Sequence, residues 1–290
     1  MKDKIKSFMN TKAFHMCMVI IIIAIILFVL GIIILKYNVE GEKNMPFNLN
    51  KITVISSSEG VDKDSGENKW AFDINQNNDI YLYIEKNSNF GKQEAIKTVL
   101  IDNINVTKNS QKGTINFYRP NTLENGGTFS NSEENKVEKI EYEGDMQSSL
   151  KDLKIANQGG LVVFRCANEK LAEYISNDEE INHSELLKKS NISEDELKAN
   201  ITFDVTISTQ DGKEYKSNVS LNLPIEGILE KGTTSQEFTD LKDVIFKRTK
   251  NWNFAVNNFW KCPKKIQTLT GKFIPFLFYF KHKYVHYELF

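Results

Sequence analysis

The sequence is short of the residues that most often announce chemistry. It has five prolines, three cysteines and four histidines in 290 positions, and its 37 lysines and arginines nearly cancel its 38 aspartates and glutamates. Cys17, Cys166 and Cys262 are too few and too scattered for a disulfide framework or a metal-binding cysteine array. Cys17 opens an apolar run, so only Cys166 and Cys262 could pair, and their contexts differ. A net charge of −1 lacks the basic excess of a nucleic-acid-binding surface, so no nucleic-acid partner is expected. The glycine pairs Gly126-Gly127 and Gly159-Gly160 lack phosphate-loop spacing. Asn, Lys and Ile are abundant where Arg and Ala are scarce, the bias of an AT-rich coding sequence. The glycosylation-type triplets at Asn105, Asn191, Asn200 and Asn218 are therefore expected by chance and carry no weight.

What is present begins with one long apolar run. Met18 to Leu35 is apolar except for Gly31, and the uncharged stretch reaches back to Ala13. At about 1.5 Å per residue, residues 13–35 make a helix of roughly 34 Å, enough for a hydrocarbon core near 30 Å thick. Lys2, Lys4, Lys6 and Lys12 precede the run, whereas Lys36 and Lys43 after it are offset by Glu40 and Glu42. The positive-inside bias then puts the N-terminus in the cytoplasm and the rest outside. The run is too long for a cleaved signal peptide and LKYNVEG offers no small-residue cut site, so a signal anchor is expected. The residues before Cys17 do not fit a lipoprotein signal, and no Glu precedes position 40 as a prepilin would require.

This gives a cytoplasmic basic segment at 1–12, a transmembrane helix at 13–35 that makes the lipid bilayer a partner, a linker at 36–51, an extracytoplasmic β-rich domain at 52–248 and a tail at 249–290. Candidate strands are Ile52–Ser56, Lys69–Ile74, Ile80–Lys86, Thr98–Val106, Gly113–Tyr118, Val137–Tyr142, Leu161–Arg165, Ala199–Ser208 and Glu214–Leu223. Alternation in Ile80–Ile84 and Ile201–Ile207 puts one face in a core and one in water. Asp211-Gly212 between the last two strands is a hairpin signal. The fold expected is mainly β: an antiparallel β-sandwich of immunoglobulin-like layout with a short helical insertion, behind the N-terminal transmembrane helix. The insertion is placed at about Asn168–Lys198. Asn168–Ile175 is given two helical turns, His183–Lys189 another, and Ser193-Glu194-Asp195-Glu196 has capping-box spacing. Asn121–Asn135 is polar and is expected to be a loop.

The tail differs from everything before it. Twelve of residues 249–290 are Phe, Trp or Tyr, seven are Lys, and Glu288 is the one acid. Phe273–Phe280 is intensely apolar, but it is too short to span a bilayer and Pro275 interrupts it. Three readings stand side by side: an interfacial segment with aromatics among headgroups and lysines against anionic lipid, a partner-binding arm, or the frame-shifted end of a reading frame.

No motif carries a reaction. Leu223-Pro224-Ile225-Glu226-Gly227 resembles a sortase signal, but Glu stands where the Thr carbonyl would be attacked. His282 and His286 have metal-ligand spacing for a helix, without a Glu between them or a clear third ligand. Cys166 beside Arg165 has no His near it and reads as a buried small hydrophobe. His183 stands alone and reads as exposed. Asp62-Lys63-Asp64-Ser65-Gly66 lacks the terminal bidentate Glu of a calcium loop. No catalytic, cofactor-binding or metal residue is assigned, no cofactor is expected, and the chain is not expected to be an enzyme.

Three segments together carry a resemblance. They are Tyr37–Phe47 after the helix, Gln158–Arg165, and Leu241–Arg248 near the domain end. Over about residues 1–248 the chain resembles an uncharacterised family of single-pass membrane proteins from low-GC Gram-positive bacteria. The resemblance brings no activity or functional residues. It implies that members end soon after the segment matching Phe246-Lys247-Arg248. The function expected is a membrane-anchored, non-enzymatic interaction or assembly protein of the cell envelope, with an envelope protein as partner. The alternative is a ligand- or carbohydrate-binding module using Trp70, Tyr81, Tyr83 and Tyr118 as a stacking face.

Overall fold

A computed structural model of the chain describes residues 11–39, 45–63, 70–121, 129–145, 153–176 and 180–249. The expectations for the 250–290 stretch of the tail, for Asp64-Ser65-Gly66 and for Gly126-Gly127 therefore lie outside the described residues.

Helix α1 runs from Lys12 to Val39. The Thr11 hydroxyl accepts from the Phe14 backbone N–H at 3.3 Å, satisfying one of the donors that a helix start leaves open. Within α1, Phe14–Ile33 is long and apolar enough to cross a membrane. Its side chains from Met18 to Ile33 stand exposed all round, far beyond the patch size a water-facing surface tolerates.

Among the described residues eleven strands follow, in two sheets. The five-stranded sheet contains β1 (Phe47–Asp62), β2 (Trp70–Lys86), β4 (Thr114–Tyr118), β7 (Gly159–Ser176) and β10 (Thr233–Phe238), in the order β10-β1-β2-β7-β4. The six-stranded sheet contains β3 (Ile96–Lys108), β5 (Ile140–Gly144), β6 (Leu153–Ile155), β8 (Ala199–Thr209), β9 (Glu214–Asn222) and β11 (Lys247–Arg248), in the order β11-β9-β8-β3-β5-β6. Among the described residues every strand pairing is antiparallel except β5 with β6. Mainly β with an N-terminal apolar helix is the architecture observed; the immunoglobulin-like layout is not confirmed by this strand order.

The sheets share one apolar core. Ile52, Val54, Ile80, Leu82, Ile84, Val162 and Phe164 come from the first, and Val99, Ile101, Phe203, Val205, Ile207 and Val219 from the second. Phe164 meets Phe203 edge-to-face across the gap, with ring centroids 5.2 Å apart. A second cluster gathers Phe72, Ile74 and Leu171 from the far ends of β2 and β7. It packs them against Leu186, Leu187, Ile192, Leu197 and Ile228, which come from the insertion and from α4 (Ile228–Lys231).

Several local expectations change. The strands expected at Lys69–Ile74 and Ile80–Lys86 are not separate: Trp70–Lys86 is one strand, β2, because β1 pairs with it through Asn75–Asp79 and β7 through Gln76–Asp79. Asn168–Ile175 is not helical. It completes β7, pairing Ala172–Ile175 with Ala71–Ile74 of β2, after a bulge in which Lys170 has φ 56°. Sheet pairing overrides local helix preference there. The insertion is therefore shorter: a 3-10 turn His183–Glu185, α2 (Leu186–Lys189) and α3 (Glu194–Leu197). In its capping box the Glu196 carboxylate accepts from the Ser193 backbone N–H at 3.0 Å. The expected linker 36–51 is shorter too, since α1 continues to Val39 and Phe47 and Leu49 already belong to the shared core. The hairpin over Thr209–Lys213 forms as expected, with the Thr209 N–H bonded to the Lys213 carbonyl at 2.8 Å and Gly212 at φ 82°. Strands β6, β10 and β11 and helix α4 carry no clear periodicity, so the sequence alone does not mark them.

Candidate functional site

The outer face of the five-stranded sheet is the most structured polar surface described. Register fixes its rows. Tyr83 lies between Lys51 and Leu161, Tyr81 between Thr53 and Val163, and Asp79 between Ile55 and Arg165. These residues alternate with the core-facing Ile80, Leu82 and Ile84, so they share the opposite face.

Arg165 organises the centre. Its Nε and Nη2 donate to the two oxygens of Asp79 at 2.6 and 3.0 Å, and its Nη1 donates to Asn131 Oδ1 at 3.0 Å. The guanidinium also lies 4.7 Å from the centroid of the Phe129 ring. Its planar fork suits this bidentate geometry, which a lysine could not copy. Asn131 Nδ2 then donates to Asn77 Oδ1 at 3.0 Å, and Asn77 Nδ2 to Glu59 Oε2 at 2.6 Å. Phe129 and Asn131 thus fasten a loop over the sheet. Beside it, the buried Tyr118 donates to Glu169 Oε1 and Asn116 to Glu169 Oε2, both at 2.7 Å. Burial, reinforced by Glu169, pushes the Tyr118 phenol well above its ordinary range.

A neighbouring residue looks the other way. Cys166 is fully buried in the shared core, because successive strand residues face opposite sides. Arg165 and Cys166 therefore cannot act together. Burial raises the Cys166 thiol to about 12, which leaves almost no thiolate at neutral pH.

Of the four aromatics considered together in the sequence, two share a strand face. Tyr81 and Tyr83, two residues apart on β2, are both half-buried on the outer face, and the Lys51 ammonium lies 4.7 Å from the Tyr83 ring centroid. A shallow depression of about 340 Å³ borders Tyr83, Gly159 and Leu161. Tyr118 is buried on the same face, while Trp70 lies elsewhere, stacked on Phe72 at 6.1 Å. His183 is exposed and meets Phe72 edge-on at 6.0 Å. Leu223 and Pro224 follow the end of β9 and are buried. His282 and His286 lie outside the described residues. Among the described residues, no group of three or more His, Cys, Asp or Glu is arranged to hold a metal.

The residues that the sequence did not single out are Glu59, Asn77, Asp79 and Asn131. A signal existed: five consecutive polar residues, Asn75–Asp79, inside a stretch flanked by alternating apolar ones. The partners of that stretch lie in β1, β7 and the loop, distant in sequence. The chain matches no family model, no curated protein and no solved structure.

Proposed function

We propose that this chain is a single-pass membrane protein of the bacterial cell envelope whose β-rich domain, outside the cytoplasm, serves interaction or assembly without catalysis. Helix α1 acts as an uncleaved signal anchor with its N-terminus in the cytoplasm. The observation that carries this reading is the fully exposed apolar surface of Met18–Ile33, a few residues before a domain with its own core. Lys2, Lys4, Lys6 and Lys12 support the orientation. Strand β10 supports the interaction role: it ends the five-stranded sheet, pairs with β1 along one side, and exposes Ser235, Gln236 and Glu237. An edge of this kind receives a partner's strand by β-augmentation. The resemblance to single-pass proteins of low-GC Gram-positives fits the envelope setting.

The test has two parts. Single cysteines placed in the β-domain of the full chain in intact cells should react with a membrane-impermeant maleimide, and a cysteine at position 3 should not; the reverse pattern overturns the topology. A photo-cross-linker at position 236 should then yield a discrete adduct with one envelope protein. Recovery of uncross-linked chain alone would argue against the interaction role.

A second reading has one observation behind it. Tyr83 borders the 340 Å³ depression on the outer face, two residues along β2 from Tyr81, and a sugar ring could stack on it. Glycan-array binding that is lost in Tyr83→Ala would favour it over the edge-strand role.

A further inference from the structure

Where the chain enters and leaves its β-domain, the surface is hollowed. The Asn87 backbone N–H donates to the Pro46 carbonyl at 2.8 Å, and its side-chain amide to the Met45 carbonyl at 2.9 Å. Asn87 Oδ1 also accepts from the Asn89 N–H at 3.0 Å. The loop after β2 is thus latched to the first residues of the domain. At the other end of the β-domain, β11 pairs Arg248 with Tyr215 and Lys247 with Lys216. The Thr249 N–H then bonds the Glu214 carbonyl at 2.9 Å. Between the latched loop and this last strand lies a cleft of about 510 Å³.

Its lining is cationic and aromatic. Lys92, Lys213 and Arg248 contribute charge, Tyr215 and Phe90 contribute rings, Asn89 adds an amide, and among the described residues that line it there is no carboxylate. Carboxylates stand behind it: Glu94 and Asp211 both contact the Lys213 ammonium and hold it in place. A volume of this size suits a small ligand. Lys92 and Arg248, beside a Lys213 already held by Glu94 and Asp211, with amide and phenol donors, suit an oxygen-rich anion, and a phosphodiester in particular.

Chain geometry says where such an anion would come from. Only six residue steps separate Val39, the last residue of α1, from Met45. A fully extended chain covers about 3.3–3.6 Å per residue, so these steps reach roughly 20 Å at most. If α1 crosses a bilayer, as proposed above and on which this inference rests, the Met45 end of the domain is held close to the headgroup layer.

We infer that this cleft binds the phosphodiester headgroup of an anionic phospholipid and so docks the β-domain against the leaflet beside its own anchor. Surface attraction of basic residues to anionic lipid supplies the driving force, and the cleft gives it a defined seat.

The experiment uses the full chain in vesicles of phosphatidylcholine, alone or mixed with phosphatidylglycerol. Flotation is scored first, then amide hydrogen exchange over residues 87–92 and 213–215. The chain should float with both vesicles, and exchange in these segments should slow several-fold only with phosphatidylglycerol. That slowing should vanish in Lys92→Glu and persist in Lys92→Arg; position 92 is exposed, so neither change threatens the core. Failure to float with either vesicle overturns the anchor reading and the cleft's placement with it. Flotation with identical exchange in both vesicles overturns the cleft alone. Slowing by soluble glycerol phosphate, with none from the phosphatidylglycerol surface, overturns the assignment to lipid.

Discussion

The Tyr142 hydroxyl both accepts from the Val163 backbone N–H, at 3.1 Å, and donates to the Val163 carbonyl, at 2.9 Å. The β4 ladder on β7 stops at Tyr118 opposite Arg165, two residues short of Val163. A side chain from the six-stranded sheet therefore takes over where a strand of the five-stranded sheet gives out. It satisfies two backbone groups that burial would otherwise leave without partners.

Tyr142→Phe should keep the ring and lose both bonds, destabilising the protein by about 1–3 kcal/mol, the cost of orphaning buried polar groups. Urea denaturation of the detergent-solubilised chain should show a lower midpoint at unchanged slope. A midpoint equal to wild type would mean that water replaces the hydroxyl at no loss.

For the Asp79–Arg165 pair, side chains only 13% and 16% exposed on the arginine and aspartate make the charges hard to leave alone. Arg165→Ala and Asp79→Ala should each cost about 1–3 kcal/mol, and the double variant should cost less than their sum, since neither then strands a charge. Arg165→Lys should recover little, having no fork with which to hold Asp79 and Asn131 together. Strict additivity in the cycle would sink the coupling.

Acid should reach the helical insertion through Glu196. The Lys112 ammonium, 2.6 Å away, and then the Ser193 N–H hold its carboxyl down at about 2. An unfolded glutamate titrates near 4.3. A depressed folded value means that its stabilisation is complete above the unfolded value and fades as pH falls toward about 2. Between those limits, thermal unfolding of wild type should fall more steeply with acid than that of Glu196→Gln, while high salt, which screens this exposed pair, should narrow the gap. Parallel curves would remove Glu196 from the acid response.

Gly159 opens β7 at φ 113°, and a Cβ built there would stand 2.5 Å from the Ile84 carbonyl oxygen. Gly159→Ala should destabilise by about 2–4 kcal/mol, from strained backbone and a forced shift of the β2–β7 pair. Gly91→Ala, with open space around its Cβ, is the control that should sit near wild type.

Cys166 should resist alkylation in the folded protein, because its thiol is wholly buried and raised to about 12. Peptide mapping after iodoacetamide treatment should find position 166 unmodified in native buffer and modified in denaturant. Rapid native labelling would show that the core opens often.

The sequence announces what depends on neighbours in the chain. The apolar run became α1, the Asp211-Gly212 turn joined β8 to β9, and Ser193 with Glu196 began α3. It conceals what depends on distant partners. Asn168–Ile175 has a helical pattern and lies in a strand because β2 offers it a ladder. Asn75–Asp79 looks like a turn and runs straight through the sheet because Ser56, Glu59, Arg165 and the Cys166 carbonyl receive its side chains. Strand β10 exposes most of its residues, so it lacks the apolar alternation that marks a half-buried strand. The Arg165 network was illegible for the same reason: its members come from β2, β7, β1 and a loop.

Between the shared core and the cluster under the insertion, the inward-facing residues turn polar. Ser56 and Gln76 donate to Asn78 Oδ1, Asn78 donates to the Cys166 carbonyl, and the Lys108 ammonium donates to Asn168 across the gap. Apolar contact is therefore interrupted along strands that are themselves continuous. The backbone ladder transmits force through that boundary, but the cohesion of oil-like packing does not cross it. The domain accordingly has two apolar compartments on one set of rails, Phe72 and Leu187 in one and Phe164 and Phe203 in the other, and each coheres through its own contacts.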